Sequence, residues 1–234
     1  MKVIKTHFFA FLWFVLYFVA QIISLVAVFV AKLISNNNLL NDTYEILQSG
    51  TDEELSLLLQ SCTMPAIFIS SIIIILIFLL IIKLSKQKII KKIELKNIYK
   101  YIIAAIVLNI FITLIISFIP ESKYTQDLTE STQIALQGSF LFILITTGIL
   151  VPVMEEIIFR YGICDQLSKI NKIYGIIISS LIFGIMHGNL IQGIYATILG
   201  LVFAYVNFKK ENLLPSILMH ISINSFSVLL TFIF

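Results

Sequence analysis

Residues 138–160 read GSFLFILITTGILVPVMEEIIFR, an apolar run that ends on two adjacent carboxylates and an arginine. A helix needs about 20 apolar residues to cross roughly 30 Å of hydrocarbon, and this run meets that length. Working outward, comparable runs fall at 8–34, 65–82, 101–119, 174–190, 191–208 and 213–234. They predict an all-α, polytopic transmembrane helical bundle of about seven spans, forming one membrane domain over residues 1–234. Composition agrees: the 234 residues are 59% hydrophobic and 12% charged, and the mean hydropathy of +1.02 lies outside the range of soluble domains. The first run is too long for the apolar core of a signal peptide, and no small-residue cleavage site follows it, so it reads as a retained helix.

The net charge of +3 says less than its distribution. Of the 16 basic residues, 14 lie in the N-terminal tail, in 83–100, in 160–172 or at Lys209 and Lys210. With seven crossings these segments share one side, which the positive-inside rule makes the cytoplasm, with the N-terminus cytoplasmic and the C-terminus outside. The acidic stretches with Asp42, Glu45, Asp52, Glu53 and Glu54, and with Glu121, Asp127 and Glu130, then face outward. Beside a membrane the lysines of 83–100 read as a topology signal drawn to anionic lipid, not as a nucleic-acid patch. Within residues 35–64, Glu53, Glu54 and Leu55 followed by Leu57, Leu58 and Leu59 suggest a short amphipathic surface helix. Cys62 and Cys164 are placed on opposite sides of the membrane, and neither has a second Cys or a His at metal-ligand spacing.

Ionisable groups at membrane depth are expensive and mark working sites, and three patches carry them. Glu156 and Arg160, four apart on a helix, face each other and can pair. Glu155 then has no partner on its own helix and becomes a candidate general base. Pro152, one turn earlier, weakens the helix where water and a peptide would approach. His187 closes Phe183-Gly-Ile-Met-His187, with Gly184 and Gly188 beside it permitting close approach of a helix or a substrate backbone. His220 and Asn224, four apart, point to one side of the last span. Ser222 and Ser225 have weaker claims, since hydroxyls bond back to their own helix. At 1.5 Å per residue, Glu155 lies about 15 Å from the basic-side charges Asp165 and Lys169, His220 about 15 Å from Lys210, and His187 about 22 Å from Lys172. Three helices thus bring polar groups to similar depth.

Glu155-Glu156-x-x-x-Arg160, Phe183-x-x-x-His187 and His220-x-x-x-Asn224 together resemble the motif set of the CAAX prenyl protease and bacteriocin-processing family of intramembrane proteases, also linked to abortive infection. The resemblance covers about residues 138–234. It implies an enzyme that hydrolyses a peptide bond of a membrane-associated peptide or protein. Glu155 would activate water with help from His187, His220 and Asn224 would stabilise the oxyanion, and Glu156, Arg160 and Phe183 would support the site.

Two histidines and a carboxylate also match the ligand count of a catalytic zinc with an open position. Glu155, His187 and His220 would be its ligands. Against this, no His-Glu-x-x-His helix is present, and the amide of Asn224 suits an oxyanion better than zinc, so water activated by glutamate without obligatory metal is the preferred reading. Two alternatives remain open: a non-enzymatic bacteriocin-immunity or binding protein, and an ion-coupled transporter, whose inverted repeat is not seen. The abundance of Ile, Lys and Asn suggests an A/T-rich bacterial genome, hence the bacterial plasma membrane and a peptide precursor in preference to a prenylated CAAX-like tail. The implied partners are that substrate and the lipid bilayer, with no nucleic acid.

Overall fold

A computed structural model describes residues 2–35, 52–86, 89–136 and 138–233. Among the described residues the chain forms eight helices and no strand: α1 (Lys2–Ser35), α2 (Asp52–Ser85), α3 (Leu95–Ser117), α4 (Lys123–Ala135), α5 (Phe140–Ser168), α6 (Lys172–Ile185), α7 (Leu190–Lys210) and α8 (Leu214–Ile233). All but α4 and α6 are long and apolar enough to cross a membrane. α6, with 14 residues, is apolar but shorter, and it folds back against α7. This is an integral, multi-pass membrane protein in which the fifth of the seven expected spans is a short one. Large apolar side chains such as Phe11, Ile22 and Phe111 point outward, as lipid contact requires and water would not reward.

The separate surface helix expected within 35–64 is instead the first part of α2, which begins at Asp52 and runs unbroken through Pro65; residues 36–51 lie outside the described residues. Pro65 has no N–H to offer the carbonyl of Ser61. Lys32 of α1 supplies the donor, its Nζ reaching the Ser61 carbonyl at 2.9 Å and the Ser61 Oγ at 2.7 Å. The helix therefore crosses its proline with the freed carbonyl satisfied.

α5 also outruns its expected end at 159, reaching Ser168 because Arg160 is neutralised inside the bundle. Two stretches of it, Leu144–Leu150 and Ile157–Cys164, wind as π-helix, a form concentrated at functional sites. Pro152 withholds the N–H that would serve the carbonyl of Gly148 in α-helical register or of Thr147 in π-helical register. Both carbonyls are taken up by α8: Asn224 Nδ2 donates to Thr147 O and Ser225 Oγ to Gly148 O, each at 3.1 Å. The proline expected to loosen this helix thus stitches it to its neighbour. Close approach is essential there, since a Cβ on Gly148 would lie 2.9 Å from Ser225 Oγ.

The helices have two distinct ends. At the end rich in lysine, His7 of α1 hydrogen-bonds Tyr174 of α6 (3.0 Å), Asn207 of α7 donates to Asp165 of α5 (3.2 Å), and Leu213 N donates to Ile89 O (3.2 Å). Asn212 completes the seam by accepting from Lys91 N and donating to Lys91 O, both at 3.0 Å. At the opposite end Lys32 meets Ser61, and Phe140 at the start of α5 packs edge-on against Phe232 at the end of α8. The polar helix α4 lies at this second end, packed against α7.

Candidate active site

α5 enters the site with Glu155 and Glu156 side by side. Glu156 is fully buried, while the Glu155 side chain keeps 13% of its exposure. His220 of α8 bridges them: its Nδ1–H donates to Glu156 Oε1 at 3.1 Å, and its Nε2 stands 3.5 Å from Glu155 Oε2. On the far side of Glu156, Arg160 Nε lies 3.3 Å from Oε2. The result is a continuous chain of Glu155, His220, Glu156 and Arg160. Arg160 gives the buried Glu156 a counter-charge and His220 gives it a hydrogen bond, which is what a buried carboxylate needs to be tolerated.

Phe183 of α6 is the hub around which these groups are spaced. Its ring packs edge-on against His187 (4.8 Å between centroids) and against His220 (5.7 Å). Arg160 lies over its face at 4.9 Å, a cation–π contact strengthened by the dry surroundings. Among the described residues none accepts a hydrogen bond from the guanidinium, so ion pairing and the rings of Phe183 and Phe203 are what hold it. Phe203 of α7 also packs on His220, 4.9 Å away and tilted by 31°.

His187 sits just past the end of α6, where its Nδ1–H donates to the Phe183 carbonyl at 2.8 Å. A carbonyl can only accept, so this bond fixes the tautomer and leaves Nε2 as an acceptor. Gly184 works as expected, since a Cβ there would lie 2.5 Å from the Gly193 carbonyl oxygen. Gly188 does not provide close approach: no described neighbour lies within 4 Å of where its Cβ would be. Its φ of +78° shows that the turn needs a residue tolerant of left-handed backbone.

His187, His220 and Asn224 line one cavity of about 410 Å³, together with Phe183 and Thr147. The cavity also takes in Asn109, Gln192 and Ser227, which the sequence reading missed although polar residues inside spans were a signal for the first two. Phe203 gave no such signal, being one aromatic residue in an apolar helix. Ser222 bonds back to its own helix at Leu218 O as expected, whereas Ser225 crosses to α5. The residues do not form a ready metal site. Among the described residues no three His, Cys, Asp or Glu side chains converge on one point, and both ring nitrogens of His220 face carboxylates.

Residues 137–226 match the Rce1-like family, described as type II CAAX prenyl endopeptidases. Over this stretch the chain is similar to the CAAX protease family. The match contains Glu155, Glu156, Arg160, Phe183, His187, Phe203, His220 and Asn224, while Asn109 and Ser227 of the cavity lie outside it. The "Putative membrane peptidase YdiL" of Bacillus subtilis is 32% identical over 111 residues, 47% of this chain and 43% of that protein. The UPF0177 protein YxdF of Lactococcus lactis is 28% identical over 170 residues, 67% of this chain and 90% of that one. The chain thus matches under half the length of YdiL. No solved structure matches it. At the level of the family, the relatives support a membrane peptidase.

Proposed function

We propose that this protein is an intramembrane peptidase that hydrolyses a peptide bond of a membrane-associated peptide through water activated by Glu155. The observation that carries the reading is the bridge of His220 between Glu155 and the Glu156–Arg160 pair, at the wall of a cavity shared with His187 and Asn224. Amide hydrolysis needs a base for the attacking water, donors for the oxyanion and an acid for the leaving amine.

Glu155 is the reachable carboxylate of the two and takes the proton from water as the water oxygen bonds to the substrate carbonyl carbon. The neutral carboxyl no longer attracts His220, whose Nε2–H is released to the developing oxyanion. Asn224 commits one Nδ2–H to Thr147 O and keeps the second for the same oxyanion. His187 Nε2, its tautomer set by Phe183 O, accepts a hydrogen bond from the water and orients it. Collapse of the tetrahedral intermediate breaks the C–N bond, and Glu155 returns its proton to the departing amine. Glu156 and Arg160 hold His220 in register throughout. The suggested substrate is a peptide precursor or a CAAX-like tail, with the precursor preferred.

The test is incubation of purified protein in detergent with a panel of precursor peptides and prenylated tail peptides, with and without chelator, read by mass spectrometry. Wild-type protein is expected to cleave at a defined bond, and Glu155→Gln to lose the activity by about a hundredfold or more, the scale of a general base. Equal cleavage by both proteins would refute the assignment.

A further inference from the structure

We propose that α1 completes the active site, with Tyr17 as a positioning residue for the Glu155 carboxylate and Gln21 beside it on the same helix face. The inference rests on the peptidase reading for what Glu155 does, while the placement of α1 against it stands on packing.

The first observation is register. A Cβ on Gly162 would lie 2.5 Å from Trp13 Cγ, so the backbone of α5 runs directly against the Trp13 side chain, whose ring packs edge-on against Tyr161 at 5.4 Å. One turn on along α1, the Tyr17 ring meets Phe159 at 6.1 Å. Residue numbers rise on one helix as they fall on the other, so the two run antiparallel. Four more residues along α1 and four fewer along α5, about 6 Å on each at 1.5 Å per residue, set Gln21 level with Glu155. Tyr17 and Gln21, four apart, share a face of α1.

The second observation is what approaches Glu155 from each side. α8 packs against residues 144–156 of α5 and α1 against 157–168, and Glu155 stands where those stretches meet. His220 of α8 comes within 3.5 Å of its Oε2. From α1, the Tyr17 hydroxyl comes close enough for the Glu155 carboxylate and the Gln21 side chain both to act on it.

The third observation is cost. Phe18, Val19, Ile22 and Ile23 turn outward, whereas Tyr17 and Gln21 are half-buried in the middle of an apolar span. A hydroxyl and an amide turned inward there need polar partners, and Glu155 is one within reach. α1 lies outside the matched stretch 137–226, so this contribution belongs to the chain's own first span.

The chemistry follows from the donor. A neutral phenol donates a hydrogen bond, and a donor aimed at a carboxylate favours its ionised form and fixes its direction. A general base needs both when the water is in place. Phe159, which holds the Tyr17 ring, packs in turn on Phe183 at 5.1 Å, so the phenol is tied to the hub that spaces the imidazoles.

Two measurements test this. Tyr17→Phe keeps the ring on Phe159 and removes only the O–H. On a cleavable peptide it is expected to lower kcat about tenfold, the weight of one hydrogen bond to a charged group, with KM and the unfolding midpoint unchanged. Ile22→Ala, on the outward face, is expected to match the wild type. An unchanged kcat in Y17F, or a fall in kcat accompanied by a higher KM and a lower midpoint, overturns the positioning role. In the second measurement p-azidophenylalanine replaces Tyr17 and the purified protein is irradiated. Mass spectrometry is expected to find it joined to α5 between residues 155 and 159, and adducts only with lipid or α2 overturn the inference. Photo-crosslinking needs no turnover. A wild type that cleaves nothing while position 17 still joins α5 would sink the peptidase reading alone, and equal cleavage by wild type and Y17F would sink this inference alone.

Discussion

Arg160 has no exposed surface and donates no hydrogen bond to a described residue, yet it lies over the rings of Phe183 and Phe203 and 3.3 Å from a carboxylate. Such a group is tolerated only as half of a pair. Arg160→Met should cost about 3–5 kcal/mol by leaving Glu156 as an uncompensated buried charge. The double variant Glu156→Gln with Arg160→Met should recover much of that loss, as read from thermal unfolding in detergent. Phe183→Leu makes a different point. It keeps an apolar side chain but removes the ring that spaces both imidazoles and supports Arg160. A stability loss of about 1–3 kcal/mol is expected from the lost aromatic contacts and volume. Turnover should fall further than binding, because geometry and not substrate contact is damaged; a kcat/KM series on a cleavable peptide separates the two.

At the scale of helices, the site depends on backbones brought unusually close. α5 and α8 touch at Gly148, where a Cβ would sit 2.9 Å from Ser225 Oγ and 3.3 Å from Ser225 Cα. Gly148→Ala should therefore destabilise by about 1–3 kcal/mol through overpacking, and adding Ser225→Ala should relieve only part of it, because the backbone of residue 225 still stands in the way. The hairpin of α6 and α7 has the same character. Gly184→Ala would drive a methyl into Thr197 and the Gly193 carbonyl, so its expected effect is a loss of cleavage with Glu155, His187, His220 and Asn224 all present. Comparison of unfolding curves with peptide cleavage would show whether the displacement of His187 exceeds the loss of fold.

For the molecule as a whole, the lysine-rich end is a seam of hydrogen bonds between elements distant in sequence. Asn212 is the stitch with most to lose, since it satisfies both backbone groups of Lys91 and the N–H of Leu214. Asn212→Ala should cost about 1–3 kcal/mol, the penalty for partly buried polar groups left unmade. It should also make the segment around residue 91 more sensitive to protease added to inverted vesicles, with little change in cleavage of a short peptide. If the same variant abolished cleavage while the fold held, the seam would have to be counted part of the site.

Much of this was open to reading in the residues themselves. Apolar runs of bilayer length set the class of fold, because hydrocarbon accepts only backbone that satisfies itself. The Glu156–Arg160 pair followed from helical spacing, and Glu155, His187, His220 and Asn224 stood out because polarity in a membrane span is too costly to be casual. What only the tertiary structure decided was who meets whom. Periodicity places His220 and Asn224 on one face, but it cannot say that His220 bridges two carboxylates or that Asn224 and Ser225 reach the carbonyls exposed by Pro152. Nor could it show Phe183 between the imidazoles, Phe203 over His220, or a turn instead of close packing at Gly188. Those relations arise between helices distant in sequence, where side-chain packing, and not the period of any one segment, sets the distances.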